Sequence, residues 1–287
     1  MGEVVAQAWQ RAHSGRDGAR WFWHRQLKKP FFGRFMGQGW RWPADVGEEG
    51  WHRVAIASGS HATLQGLLRS PEDGQARGVV VCAHPMGLAA KGFWLRHGHA
   101  EALLAEGFHV LAFDFNGFGE SPSTNFDWPA DLMAAGRWAR DRFAGLPVHL
   151  LGASFGAMIA LDALGAPDYP FQRVVAEGCA PTLPMFWKQF PVAHAVLQMG
   201  RLIAPSVEKK LRPELGMARM PAGVRVLLVH SHGDPWTPVA HGDRLAAAAP
   251  AGRHIERTVL QRAEHTHGLR DERERYWPAV RDFLAAE

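Results

Sequence analysis

At 287 residues, with 47% apolar and 21% charged side chains, the chain can bury a large core as one α/β domain or as two small ones. No apolar run reaches the roughly 18 residues of a membrane span, and the first twenty residues lack the apolar stretch of a signal peptide, so no integral membrane segment and a cytoplasmic location are expected. The net charge of +4 comes from scattered arginines rather than a basic stripe, which argues against nucleic acid as a partner.

The first distinctive segment is ARWFWHRQLKKPFFGRFMGQGWRW, residues 19–42, where aromatic and basic side chains interleave. Pro30 and the glycines interrupt any long amphipathic face, so a packed helix and loop covering a sheet edge is expected. Peripheral membrane contact through the same side chains is the alternative. Residues 1–50 thus read as an N-terminal extension, and 51–287 as the main domain.

WHRVAIAS and HATLQGLLRS alternate around Gly59 and predict an antiparallel hairpin. Beyond it, strand-like runs rich in Val and Leu occur at 77–84, 108–115, 147–154, 171–179, 224–232 and 254–261. Between most of them lie segments of helical spacing, including FWLRHGHAEALLAEG, WPADLMAAGRWARDRF and HGDRLAAAAPAG. Continuous apolar strands separated by amphipathic helices predict an α/β fold, a mostly parallel central sheet covered by helices on both faces. The two cysteines, Cys82 and Cys179, fall inside the apolar runs and are too few for a disulfide framework. Residues at about 181–221 are too many for an ordinary connection and read as a short helical insertion, offering Met185, Phe186, Trp187 and Phe190 to cover something.

What they cover is suggested by HLLGASFGAMIAL, residues 149–161. A strand runs into Gly152-Ala153-Ser154-Phe155-Gly156 and a helical segment follows at once. Such a corner strains the backbone of the serine and brings strand and helix so close that the positions two before and two after must be small. It lifts the hydroxyl above the carboxyl end of the sheet, and the Phe155 N–H at the helix start is a donor for a developing oxyanion.

Four further stretches accompany the corner: His84-Pro85-Met86-Gly87, the turn Asp114-Phe115-Asn116-Gly117-Phe118-Gly119-Glu120-Ser121, the loop His232-Gly233-Asp234-Pro235-Trp236-Thr237-Pro238, and Arg262-Ala263-Glu264-His265. With them the sequence resembles the α/β hydrolase superfamily from about Val54 to the C-terminus. The resemblance implies the α/β hydrolase fold with a helical lid, and a Ser154, Asp234, His265 triad in that chain order. It also implies that Met86 supplies the second oxyanion N–H, although Pro85 stands where glycine is usual and leaves Gly87 as the alternative. Serine at the corner is unlike the superfamily members that displace halide or open epoxides, which carry aspartate there.

A serine hydroxyl becomes nucleophilic when an imidazole takes its proton and a carboxylate holds that imidazole in the right tautomer. Asp234 competes for the acid role with Glu177, and His265 for the base role with His267. His84 reads as a brace of its loop, and His84, Gly87, Met185, Phe186, Trp187, Phe190 and Trp236 are the expected wall of a substrate pocket. The pairs His97/His99, His230/His232 and His265/His267 invite a metal, but no motif with further ligands accompanies them, and no metal or other cofactor is expected. The expected activity is cleavage of a small-molecule carboxylic ester with a hydrophobic acyl part. Thioester hydrolysis, acyl transfer and non-catalytic binding on the same fold remain open.

Overall fold

The computed structural model describes residues 22, 24–26, 28–29, 32–36, 40–72, 76–189, 191, 194–195, 197–199 and 212–286. Its centre is one eight-stranded sheet: β1 (His52–Ala57), β2 (Thr63–Arg69), β3 (Gly78–Ala83), β4 (Phe108–Phe113), β5 (Val148–Ala153), β6 (Arg173–Glu177), β7 (Arg225–Ser231) and β8 (His254–Leu260). The spatial order is β1-β2-β4-β3-β5-β6-β7-β8. β1 pairs antiparallel with β2 in register Val54 to Gly66, and β2 antiparallel with β4, so the expected hairpin leads the sheet. All pairings from β4 through β8 are parallel.

Every residue of β3 and β5 is buried, which is why both read as apolar runs, interrupted in β5 only by His149. Their side chains divide between two cores by the alternation of the pleat. Val79, Val81 and Leu150 pack with Trp128, Leu132, Ile159 and Leu245 on one face. Val80, Cys82 and Leu151 pack with Trp94, Leu103, Tyr276 and Phe283 on the other. Both thiols, Cys82 and Cys179, are free and buried.

The helical spacing of residues 93–107 is divided in two, as Gly92–Arg96 and His99–Ala105. Gly98 between them has φ 76, a left-handed conformation that ends one helix and re-aims the chain for the next. In the aromatic and basic segment, Phe32 packs against Phe118, Trp128 and Phe155 beyond the carboxyl ends of the strands, while Trp40 lies beside Arg53 of the edge strand β1 and Trp42 beside Trp51. Among the described residues no helix is long and apolar enough to cross a membrane.

Candidate active site

β5 ends at Ala153 and the helix Phe155–Asp162 begins two residues later, leaving Ser154 alone on the corner with φ 48 and ψ −110. A non-glycine residue in this region costs about 1–3 kcal/mol, and the surroundings must hold it there. They do so with main-chain bonds: the Ser154 N–H donates to the Glu177 carbonyl at 2.8 Å, and the Ser154 carbonyl accepts from Met158 N–H at 2.8 Å. The flanking glycines are required by contact. A Cβ on Gly156 would lie 2.0 Å from the Ala83 carbonyl oxygen, and one on Gly152 would lie 2.9 Å from the Ala157 nitrogen.

Asp234 follows β7 and caps its own turn. Its Oδ1 accepts from the N–H groups of Trp236 at 2.8 Å and Thr237 at 3.1 Å, and its Oδ2 accepts from the Thr237 hydroxyl. The same Oδ2 lies 2.7 Å from His265 Nδ1. Burial alone would raise this carboxyl, but the His265 and Thr237 hydrogen bonds outweigh it and hold Asp234 below its ordinary value.

His265 follows β8 in a segment that Glu272 braces, its Oε1 accepting from the N–H groups of Gln261, Arg262 and Ala263. With Nδ1–H given to Asp234, the Nε2 lone pair faces the Ser154 hydroxyl, 2.8 Å from Oγ. Gly178, at φ 62, leaves room for the ring, since a Cβ there would come within 3.1 Å of His265 Cε1. His267, the rival base, turns away: its Nδ1 is 3.6 Å from Glu264 and its ring 5.2 Å from that of His97.

The rival acid is committed elsewhere. Glu177 Oε1 accepts from Gly268 N–H at 2.9 Å and Oε2 from the Tyr276 hydroxyl at 3.0 Å. Burial raises its pKa.

On the opposite side of the corner, the Phe155 N–H belongs to the first turn of its helix, where no intrahelical acceptor exists. Met86 and Gly87 sit half-buried in the loop after β3. His84 departs from the expected pocket wall: it is sealed from solvent, its Nε2 accepting from Phe115 N–H at 3.2 Å and its Nδ1–H donating to the Pro85 carbonyl at 2.8 Å. With both nitrogens engaged it braces the loop.

Among the other expected wall residues, the Phe186 ring stands 5.8 Å from His265 and stacks at 6.0 Å on Trp236, with Met185 half-buried beside it in sequence. Trp187 is turned into the core, 9% exposed, with its edge toward Phe186. Phe190 lies outside the described residues.

Three elements of the site carried no signal that sequence reasoning caught. Lys91 is fully buried, its Nζ 2.5 Å from Asp114 Oδ2 and 2.7 Å from Glu120. Asp114 also accepts from the N–H groups of Lys91 and Glu120, so it pins the turn beside the loop of Met86. Gly119, at φ 51, has no room for a side chain against that carboxylate. Thr237 and Tyr276 act through the bonds above; only Thr237, three residues past an aspartate before proline, had a readable turn signature.

Among the described residues one group could gather around a cation: ligand atoms of Glu264, His267 and Asp271 lie within 4.8 Å of one another. Arg270 already occupies it, 2.9 Å from Glu264 and 2.6 Å from Asp271, and supplies the positive charge.

A strained serine at a strand-to-helix corner of a mostly parallel sheet, joined to an imidazole and a carboxylate from later loops, defines an α/β hydrolase. Residues 74–219 match the sequence model of the Hydrolase_4 family, described as serine aminopeptidase, S33, and the chain belongs to that family of serine hydrolases. No curated protein sequence matches the chain. Among solved structures it is similar to the Pyrococcus furiosus esterase Pf2001, with TM-score 0.69 and 19% identity over 87% of this chain and 97% of that one. It is also similar to a thermostable carboxyl esterase from Bacillus coagulans, with TM-score 0.63 and 14% identity over 82% of this chain and 98% of that one. Est1E from Butyrivibrio proteoclasticus, solved with ferulic acid bound, gives TM-score 0.61 and 15% identity over 80% of this chain and 97% of that one.

Proposed function

We propose that the protein hydrolyses carboxylic esters with a hydrophobic acyl part through an acyl-serine intermediate. The observation that carries this reading is the continuous chain of short contacts from Asp234 Oδ2 to His265 Nδ1, 2.7 Å, and from His265 Nε2 to Ser154 Oγ, 2.8 Å. In the first step Oγ attacks the acyl carbon while Nε2 takes its proton, and the charged imidazolium is stabilised by Asp234, which stays ionised. The main-chain N–H groups of Phe155 and Met86 receive the developing oxyanion. His265 then returns the proton to the leaving alcohol. In the second step water, deprotonated by the same nitrogen, releases the acid and restores the serine.

An ester is favoured over an amide by the esterases among the similar structures, and a hydrophobic acyl part by Phe186, Met185 and Trp236 beside the imidazole. The expected lid at about 181–221 would cover that part through its described residues Met185 and Phe186; residues 190, 192–193, 196 and 200–211 of it lie outside the described residues. The test is turnover of 4-nitrophenyl esters of increasing acyl length beside acyl-CoA thioesters and aminoacyl 4-nitroanilides, with Ser154→Ala as control. Preference for esters with kcat/KM rising along the acyl series is expected. Faster turnover of thioesters or anilides would replace the ester reading with one of the others on the same triad.

A further inference from the structure

Phe155 offers its N–H to the oxyanion, and its side chain is enclosed by aromatic rings: Trp128 at 5.0 Å, Phe115 at 5.4 Å and Phe118 at 5.5 Å between centroids. Phe115 and Phe118 also flank the buried His84 at 5.2 and 5.3 Å, so one cluster reaches both the corner and the loop of Met86. A further wall of this cluster does not come from the sheet domain. Phe32, 3% exposed, places its ring 5.9 Å from Phe155, 5.3 Å from Trp128 and 6.3 Å from Phe118. Met36, four residues on, packs onto Gly117 so closely that a Cβ there would meet its methyl at 2.4 Å.

The same segment is fastened at a second point. Lys28 is fully buried, and its Nζ donates to Asn116 Oδ1 at 2.6 Å while lying 5.0 Å from the Trp128 ring and 5.5 Å from that of Phe126. Asn116 is fixed in turn, its Nδ2 donating to Asp131 Oδ2 at 2.7 Å and its carbonyl accepting from Trp128 Nε1 at 3.1 Å. A buried amine is tolerated only where its bonds are made, so this contact specifies where the segment sits. These residues precede the stretch 74–219 that the family model matches, yet they pack against its reactive corner.

We propose that the described residues from Phe22 to Met36 form a strap over the oxyanion side of the site, latched by Lys28 on Asn116, and that Phe32 is a positioning residue for the Phe155 N–H. This rests on the reading of Ser154 as nucleophile. Oxyanion donors act only when fixed before charge develops, and a misplacement of about 1 Å costs on the order of 10²-fold in rate. Removing Phe32 leaves the Phe155 ring free to shift into the vacated volume, carrying its N–H with it. Such a donor serves the transition state and not the bound ester, so its loss lowers kcat and leaves KM in place.

The experiment compares Phe32→Ala, Phe32→Leu and Lys28→Met in the full chain by kcat, KM, thermal unfolding and affinity for an alkylboronic acid, which forms a tetrahedral anion on a reactive serine. For Phe32→Ala, kcat is expected to fall about 10- to 100-fold with KM nearly unchanged. Boronate affinity should fall in the same proportion, with Phe32→Leu recovering most of both and Lys28→Met showing a smaller loss of the same kind. Should Phe32→Ala fail to fold, Lys28→Met is read for the same parallel loss in kcat and boronate affinity. Variants that unfold at lower temperature but keep wild-type kcat and boronate affinity well below that temperature would overturn the proposal. Turnover surviving Ser154→Ala would instead overturn the reading of the nucleophile on which it rests.

Discussion

The main-chain carbonyl of Glu177 accepts the Ser154 N–H at 2.8 Å while its side chain accepts the Gly268 N–H at 2.9 Å, so one residue of β6 holds both the serine corner and the segment just past His265. The backbone part survives any substitution, and the side-chain part does not. Glu177→Ala therefore leaves Gly268 N–H and the Tyr276 hydroxyl without their buried acceptor, at about 1–3 kcal/mol of stability for each group. A fall in kcat larger than the rise in KM is expected, with Glu177→Gln recovering most of it because the amide oxygen can accept from Gly268. Equal kcat for Ala and Gln variants would show that the side chain does not position the base.

His265 and His267 are two residues apart, yet of the two only His265 is within hydrogen-bonding distance of Ser154. His265→Ala is expected to lower kcat/KM by about 10⁴-fold or more, and Asp234→Asn, which misdirects the imidazole tautomer, by about 10⁴-fold. His267→Ala should stay within about tenfold of wild type, since it can act only through neighbours of the site. Steady-state kinetics on one ester checks all three, and a loss confined to the His267 variant would reverse the assignment.

The succession of strands and helices and the corner were legible because both depend on local composition: β3 is apolar throughout and β5 is apolar but for His149, and a side chain at Gly152 or Gly156 would collide with Ala157 or Ala83. The choices between rival bases and between rival acids rested on the resemblance alone. His265 against His267, and Asp234 against Glu177, turn on where a loop of a few residues points, which no periodicity records. Partnerships between distant positions, such as Lys91 with Asp114 or Lys28 with Asn116, were likewise hidden, because each residue alone reads as an ordinary charged or polar side chain. His84 was expected both to brace its loop and to line the pocket, and only its burial separates the two roles.

Gly156→Ala is expected to destabilise the fold by about 1–3 kcal/mol or more, since the new methyl must displace the end of β3 from 2.0 Å. Gly223, where an added methyl would meet nothing within 4 Å, is the control, and its alanine variant should stay within about 0.5 kcal/mol of wild type. Urea midpoints compare the two, and equal values would mean that strand and helix are not in contact at the corner.

Burial lowers the pKa of several histidines, that of His99 to about 3 and those of His97, His149 and His241 to about 4, from an ordinary value of 6.5. The unfolded chain therefore takes up protons that the folded chain refuses as pH falls through 6.5, and stability should decline from there until these residues titrate in the fold. Asp131 and Glu177, whose carboxyls burial raises, act in the opposite sense within their own range. The histidine share is isolated by His149→Gln, which should flatten the slope of unfolding free energy by about 1.4 kcal/mol per pH unit, one proton's worth. Unchanged slopes in denaturant titrations between about pH 6 and 5 would contradict this.

Acyl-serine chemistry is tested most directly by exposing the folded protein to a fluorophosphonate and weighing it intact. One adduct per chain is expected, mapping to Ser154 after digestion, absent from Ser154→Ala and forming far more slowly in His265→Ala. A folded wild-type protein that takes up no adduct, or one whose adduct persists in Ser154→Ala, would contradict it.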